Sequence, residues 1–317
     1  MKKMIVLLLF ISIFGLSVTY AQQIYIAGSD GQNVVLWVNG RQSVLPSVVG
    51  GWANAVAVLG SYIYIGGTDT VQSLNDFSPI DATFWQNGRR TVLPRTGDSA
   101  SVHAIAISGS DAYFVGQDGN EAVYWRNGVQ TILPKTGIRA WATAIAISDS
   151  DVYIVGRDRS VGHVRDEAVY WLNGIQTILP RTGSSATARA IAISGSGVYI
   201  VGEDNFEVVY WLNGEIQATL PRVDRHTHAN AIAVSGSDVY IVGQDGNEAV
   251  YWLNGIQTIL PRTGRFAIAK GIEIFGSDVY IVGRDGDEAV YWLNGIQTVL
   301  YRTSRAHASA NSIFIMP

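Results

Sequence analysis

Apolar and polar residues along this chain alternate in short runs, and the runs recur. Around Trp252, Ala231–Ser235 alternates small and large apolar residues, and Gly236-Ser237-Asp238 follows as a turn. Val239–Val242 forms a second run, closed by Asp245-Gly246-Asn247. Glu248–Leu253 is the third, Asn254-Gly255 a two-residue break, and Ile256–Leu260 the fourth, ended by Pro261. Period-2 alternation bounded by Gly, Asn and Asp predicts strands, Asn-Gly between two of them predicts a tight hairpin, and proline cannot donate to a sheet ladder. The unit therefore reads as four antiparallel strands, a to d.

The third run carries a marker, Trp-x-Asn-Gly, at Trp37, Trp85, Trp125, Trp171, Trp211, Trp252 and Trp292, spaced 40 to 48 residues apart. Four short strands in such a period predict an all-β fold, a seven-bladed β-propeller with four antiparallel strands per blade. The ends of the repeat agree. The first strand, Ile24–Ala27, is of type b with no a before it, and the last, Ser312–Ile315, is of type a with no b after it. Pairing them completes one composite blade and closes the ring; an open solenoid would need capping repeats.

These repeats resemble the seven-bladed propeller superfamily and its end-to-end strand closure. No Trp-Asp dipeptide ends a blade, so the chain is not a typical WD40 protein, and the adjacent-glycine pair of kelch blades occurs once, at Gly66-Gly67. The Ala-Val-Tyr-Trp-x-Asn-Gly signature is similar to that of uncharacterised exported bacterial repeat proteins, a resemblance that implies the fold and no activity.

Composition narrows the picture. Lys2-Lys3, the apolar run Met4–Val18 and the small residues Thr19 and Ala21 have the layout of a secretory signal peptide cleaved near Ala21. The alternative is a membrane anchor, but the run is short for a span of about 20 residues. The expected domains are a signal peptide at 1–21 and a single propeller at 22–317, exported to the periplasm or beyond the cell, with no stable membrane insertion after cleavage. The chain has no cysteine, so no disulfide supports the fold. Charged residues make up 15% and the net charge is −4, which disfavours nucleic acid as a partner. A monomer is expected.

Propeller topology puts the b–c and d–a loops on one face and the a–b and c–d turns on the other. The second face has little but Asn-Gly hairpins and Gly-Ser-Asp turns, so the first is the expected functional face. Three groups of candidates lie there. One is a ring at the channel mouth, placed just before each inner strand: Asn54, His103, Thr143, Arg189, Asn230, Lys270 and Asn311. Its basic members can bind a carboxylate or phosphate, or the ring is simply a set of solvated strand ends. Glu273 joins it, because it replaces an alanine of the other inner strands, as does Phe314; the expectation is that Glu273 pairs with Lys270 or meets channel water, or else acts as an acid with a raised pKa. The second group lies in the two longest b–c loops: Asp76 and Phe77 in blade 2, and Arg159, His163 and Arg165 in blade 4. The third is a repeated set of loop cations, from Arg95 to Arg302, facing turn acids such as Asp118 and Glu121. It reads as surface ion pairs, or as repeated pockets giving avidity for a polymer.

Catalytic signatures are missing from the sequence. There is no Gly-x-Ser-x-Gly elbow and no His-Glu-x-x-His. His226 and His228 form a metal foothold without a nameable third ligand, and no metal or cofactor is expected. The Tyr-Trp pairs suit packing between blades better than sugar stacking. Near-identical blades, with Val169–Gly183 repeated unchanged at Val250–Gly264, favour a protein- or glycan-binding module over an enzyme; a channel hydrolase or lyase using Glu273 and His103, and an assembly ring without ligand, are the alternatives.

Overall fold

The computed structural model describes residues 22–70, 80–160 and 165–316. The expected signal peptide, Asp76, Phe77 and His163 lie outside these residues. Among the described residues, 28 strands form seven four-stranded antiparallel sheets arranged as blades, a seven-bladed β-propeller. Blade 1 is the composite one. Its strand b is β1 (Gln23–Asp30), followed by β2 (Asn33–Val38) and β3 (Arg41–Val44), and its strand a is the last of the chain, Ala308–Met316. That strand pairs antiparallel with β1 from Gln23↔Met316 to Asp30↔Ala308. The remaining blades follow in order, from blade 2 (Gly51–Val92) to blade 7 (Ala267–Val299).

Each blade is held to its neighbour by the repeat's tryptophan. All seven motif tryptophans are fully buried. Each indole Nε1–H donates to a backbone carbonyl at the end of the preceding blade. Trp252 reaches Pro221 O at 2.9 Å, Trp125 reaches Pro94 O at 2.8 Å, and Trp37 closes the circle on Tyr301 O at 2.7 Å. The ring thus fills the gap between two sheets while its one polar atom is satisfied. The surrounding cores straddle blade interfaces: Val242, Ala249 and Leu260 of blade 6 pack with Ala267, Ile281 and Trp292 of blade 7. With the indoles sequestered, these tryptophans are packing residues, as the sequence pattern favoured.

The turns are built as the sequence requires. In every c–d hairpin the Asn and Gly both take positive φ, 51° and 84° at Asn254-Gly255, which matches the twist of the flanking strands. The Asn254 side chain also accepts from Val239 N at 2.9 Å and donates to Asp238 at 2.8 Å, tying the c–d and a–b turns together.

The inner strands are longer than the alternation suggests. Strand a of blade 6 begins at Thr227 rather than Ala231. The reason is a β-bulge four residues into the strand, where Ala229 pairs with Gly243 and Ala231 with Val242, leaving Asn230 extra. The same bulge recurs in all seven inner strands. A bulge breaks the period-2 pattern and bends the strand. It also brings the inner backbone onto strand b, where each blade has a glycine: a Cβ at Gly243 would overlap the carbonyl oxygen of His228, and Gly28, Gly67, Gly116, Gly156, Gly202 and Gly283 are equally confined.

Candidate functional site

The bulge residues are the seven mouth candidates: Asn54, His103, Thr143, Arg189, Asn230, Lys270 and Asn311. They lie within the strand rather than before it. The structure brings all seven, with Glu273, into the wall of one axial cavity of about 560 Å³. Five of them are spent largely on holding the ring. Asn54, His103, Thr143, Asn230 and Asn311 each bond to the backbone carbonyl of the next blade that precedes its bulge, at 2.7–2.8 Å. The ring is therefore a circumferential girdle as well as a channel wall. Both nitrogens of His103 are occupied, Nδ1 by Ala142 O at 2.7 Å and Nε2 by Ser101 Oγ at 2.8 Å, and desolvation lowers its pKa.

The two bulge cations depart from this scheme. Arg189 turns to Glu203 of its own blade at 2.5 Å. Glu203 is buried and also accepts from Thr187 Oγ1 at 2.8 Å and meets His228 Nδ1 at 3.3 Å. Burial works against its charge, but the bonds from His228, Arg189 and Thr187 prevail and hold its pKa below the usual range. Lys270 donates to Ser309 Oγ at 2.8 Å and Asn311 Oδ1 at 2.9 Å in the next blade, so it does not pair with Glu273 as expected from their spacing. Burial, helped by the charge on Arg284, lowers the Lys270 pKa to about 8.

Glu273 has no ion-pair partner among the described residues, and burial alone raises its pKa to about 7. The folded state thus binds more protons than the unfolded chain between about pH 4.5 and 7, so stability falls as pH rises through that window. Lys270 acts in a separate window, from about pH 8 to 10.5, with stability rising. Glu273→Gln is expected to raise the melting temperature at pH 7.5 and to flatten its decline from pH 5; an unchanged slope in thermal melts would show that Glu273 is solvated in the channel.

Above the girdle, toward the face carrying the d–a and b–c loops, stand two further rings that the period-2 pattern does not mark. Two residues before each bulge stand Trp52, Ser101, Trp141, Thr187, His228, Ile268 and Ser309. Their cross-strand partners on strand b are Thr68, Gln117, Arg157, Glu203, Gln244, Arg284 and Ser29. Trp52, His228, Ile268 and Gln244 line a funnel of about 610 Å³ with Asn54, Asn230 and the bulge cations. Trp52 is 45% exposed there, unlike the motif tryptophans. Its signal was available: of nine tryptophans, only Trp52 and Trp141 lie outside Trp-x-Asn-Gly.

The remaining candidates separate. Arg159 joins Arg157 on Asp166 at 2.9 and 3.1 Å, whereas Arg165 is exposed and its carbonyl accepts from Ser160 N at 3.1 Å. The repeated loop cations pair within their own blade, as in Arg262–Glu248 at 2.6 Å and Lys135–Glu121 at 2.5 Å. Such exposed pairs, screened by solvent, contribute little to stability. The turn aspartates do something else. Asp118 is buried and accepts from Gly97 N, Thr96 Oγ1 and Gln130 Nε2 at 2.8–2.9 Å, pinning the d–a loop. His226 turns to Asp224 at 3.0 Å and His228 to Glu203, so the two imidazoles serve different carboxylates. No cluster of three metal-ligating side chains occurs among the described residues.

The fold and its axial funnel define the class, a seven-bladed propeller with an open, chemically varied mouth. No protein-family model matches the chain, and no curated protein matches it. Solved structures are similar in fold. The computationally designed Ika8 protein shares 15% identity at a TM-score of 0.52, over 93% of this chain and 88% of that one. A chain of the nidogen/laminin complex shares 12% at a TM-score of 0.48, over 93% and 98%.

Proposed function

We propose that the protein is an exported binding module that captures a glycan at the axial mouth on the face of the b–c and d–a loops. One observation carries this reading. In blades that otherwise nearly repeat, residue variety is concentrated at the mouth, in the bulge residues and the cross-strand pairs above them, and there a half-exposed Trp52 lies among amides and cations. An exposed aromatic face with nearby amide hydrogen-bonding groups suits a sugar ring, and a concave site suits a small or linear ligand better than a flat protein surface. The turns of the opposite face, Asn-Gly hairpins and mostly Gly-Ser-Asp, vary little from blade to blade. Export rests on the first 21 residues of the sequence.

A glycan array read with the wild type and with Trp52→Ala tests the proposal. Binding to a defined set of glycans is expected, weakened at least about tenfold by the loss of the stacking face and of its hydrogen-bonding geometry. Arg126→Gln, on strand c beside the opposite face, should leave it unchanged. Undiminished binding by Trp52→Ala would move the site away from the mouth. Capture of proteins alone would favour a protein partner. The enzyme reading retains one supporting feature, the raised pKa of Glu273, but its intended partner His103 has both nitrogens engaged.

A further inference from the structure

Blade 4 departs from the repeat at the mouth. On the hairpin of its two inner strands, Arg139 pairs across from Arg159 and Trp141 across from Arg157. Alternate residues share a face, so three guanidiniums converge on one indole. Their carbon centres lie 4.4 Å (Arg139), 3.9 Å (Arg157) and 5.3 Å (Arg159) from the Trp141 ring. The aromatic quadrupole lets like charges share this space. A fourth guanidinium, Arg189 of blade 5, faces Arg157 across a cavity of about 330 Å³ that Thr143 and Gln117 also line.

These four cations meet two carboxylates. Asp166 serves Arg157 and Arg159, and Glu203 serves Arg189. Arg139 has no ion-pair partner among the described residues, and its Nε is buried without a hydrogen bond. The quadrant is thus net positive on a chain whose net charge is −4. Packing does not require this arrangement. Blade 6 folds alike with His226, Gln244 and Gly246 at the positions of Arg139, Arg157 and Arg159. Arg157 is partly desolvated, and burial lowers its pKa, a cost that a bound anion offsets.

We infer that this quadrant is an anion subsite holding the carboxylate of an acidic sugar, by guanidiniums of two blades, while the adjoining funnel with Trp52 holds the rest of the saccharide. The inference rests on the glycan-binding reading above. Arginine forks match a carboxylate in two parallel bonds, and Thr143 and Gln117 suit the neighbouring hydroxyls.

Isothermal titration of the full chain with tri-galacturonate, the neutral trigalactoside and inorganic phosphate tests it. The acidic trimer is expected to bind at least about tenfold tighter than the neutral one, with affinity falling as salt rises. Arg157→Gln should weaken the acid about tenfold or more and leave the neutral sugar unchanged, Arg189→Gln should weaken the acid more than the neutral sugar, and Arg157→Lys should restore only part of the loss. Melting curves establish that the variants fold; if Arg157→Gln does not, Arg189→Gln and the salt dependence decide. Equal affinity for the two sugars overturns the subsite but leaves a glycan module standing. Phosphate competing as well as the trimer overturns the sugar assignment in favour of a simple-anion site. If no glycan binds, the glycan reading and this one fall together.

Discussion

A chain ending at His307, without its final strand, should fail to fold into a closed ring. That strand supplies the inner edge of blade 1, pairing with β1 over its whole length. It buries Ala308, Ala310, Ile313 and Ile315 against blade 7 and β1. Its Asn311 reaches Ala53 O of blade 2, and it receives Lys270 from blade 7. Truncation therefore exposes the apolar sides of two neighbouring blades and leaves β1 as an unpaired edge, a template for aggregation. Because every blade is stabilised by the next, the loss is not confined to one sheet. The expected result is soluble aggregate or loss of a cooperative thermal transition in circular dichroism, with recovery when a peptide spanning residues 306–317 is added during refolding. A truncated chain that melts cooperatively near the wild-type temperature would contradict closure through this strand.

Trp252→Ala carries the second largest expected effect. The ring is fully buried between blades 5 and 6, in a core with Val201, Val208, Leu220 and Ile241. Removing a buried tryptophan typically costs about 3–5 kcal/mol through lost burial and the cavity left behind. The change also orphans the Pro221 carbonyl, adding about 1–3 kcal/mol if water does not reach it. Chemical denaturation should show a large fall in midpoint. Trp52→Ala, which empties no core, should shift the midpoint little, so the two variants separate packing from binding tryptophans. Equal losses would mean that Trp52 is structural.

The ring was legible in the sequence because its determinants are local and periodic. Trp-x-Asn-Gly sets strand c, the hairpin and the blade count together, and the unmatched a and b strands at the chain's ends point to each other. The mouth was legible in part. The girdle residues stand out as polar positions preceding an apolar alternation, but the alternation places the start of the strand after them. The cause is the bulge: one extra residue inverts the alternation, so the period-2 pattern starts only at Ala231 and hides the ring containing Trp52, Trp141 and His228. The expected Lys270–Glu273 pair does not form, because three residues of strand separate the two by about 10 Å along the channel and Lys270 instead spans the blade gap to Ser309 and Asn311. The turn acids and loop cations were legible as sets but not as partners. Whether Asp118 caps a loop while Glu121 meets Lys135 depends on strand register, which the repeat alone does not state.

The measurement that bears most directly on the function proposed above is a crystal structure of the full chain with tri-galacturonate, or with the tightest array glycan should the acid not bind. Ligand density is expected in the axial funnel, stacked near Trp52, with the carboxylate of an acidic sugar between Arg157 and Arg189. Ordered ligand on the Asn-Gly hairpin face, or in the grooves between outer strands with the funnel holding only water, would contradict it.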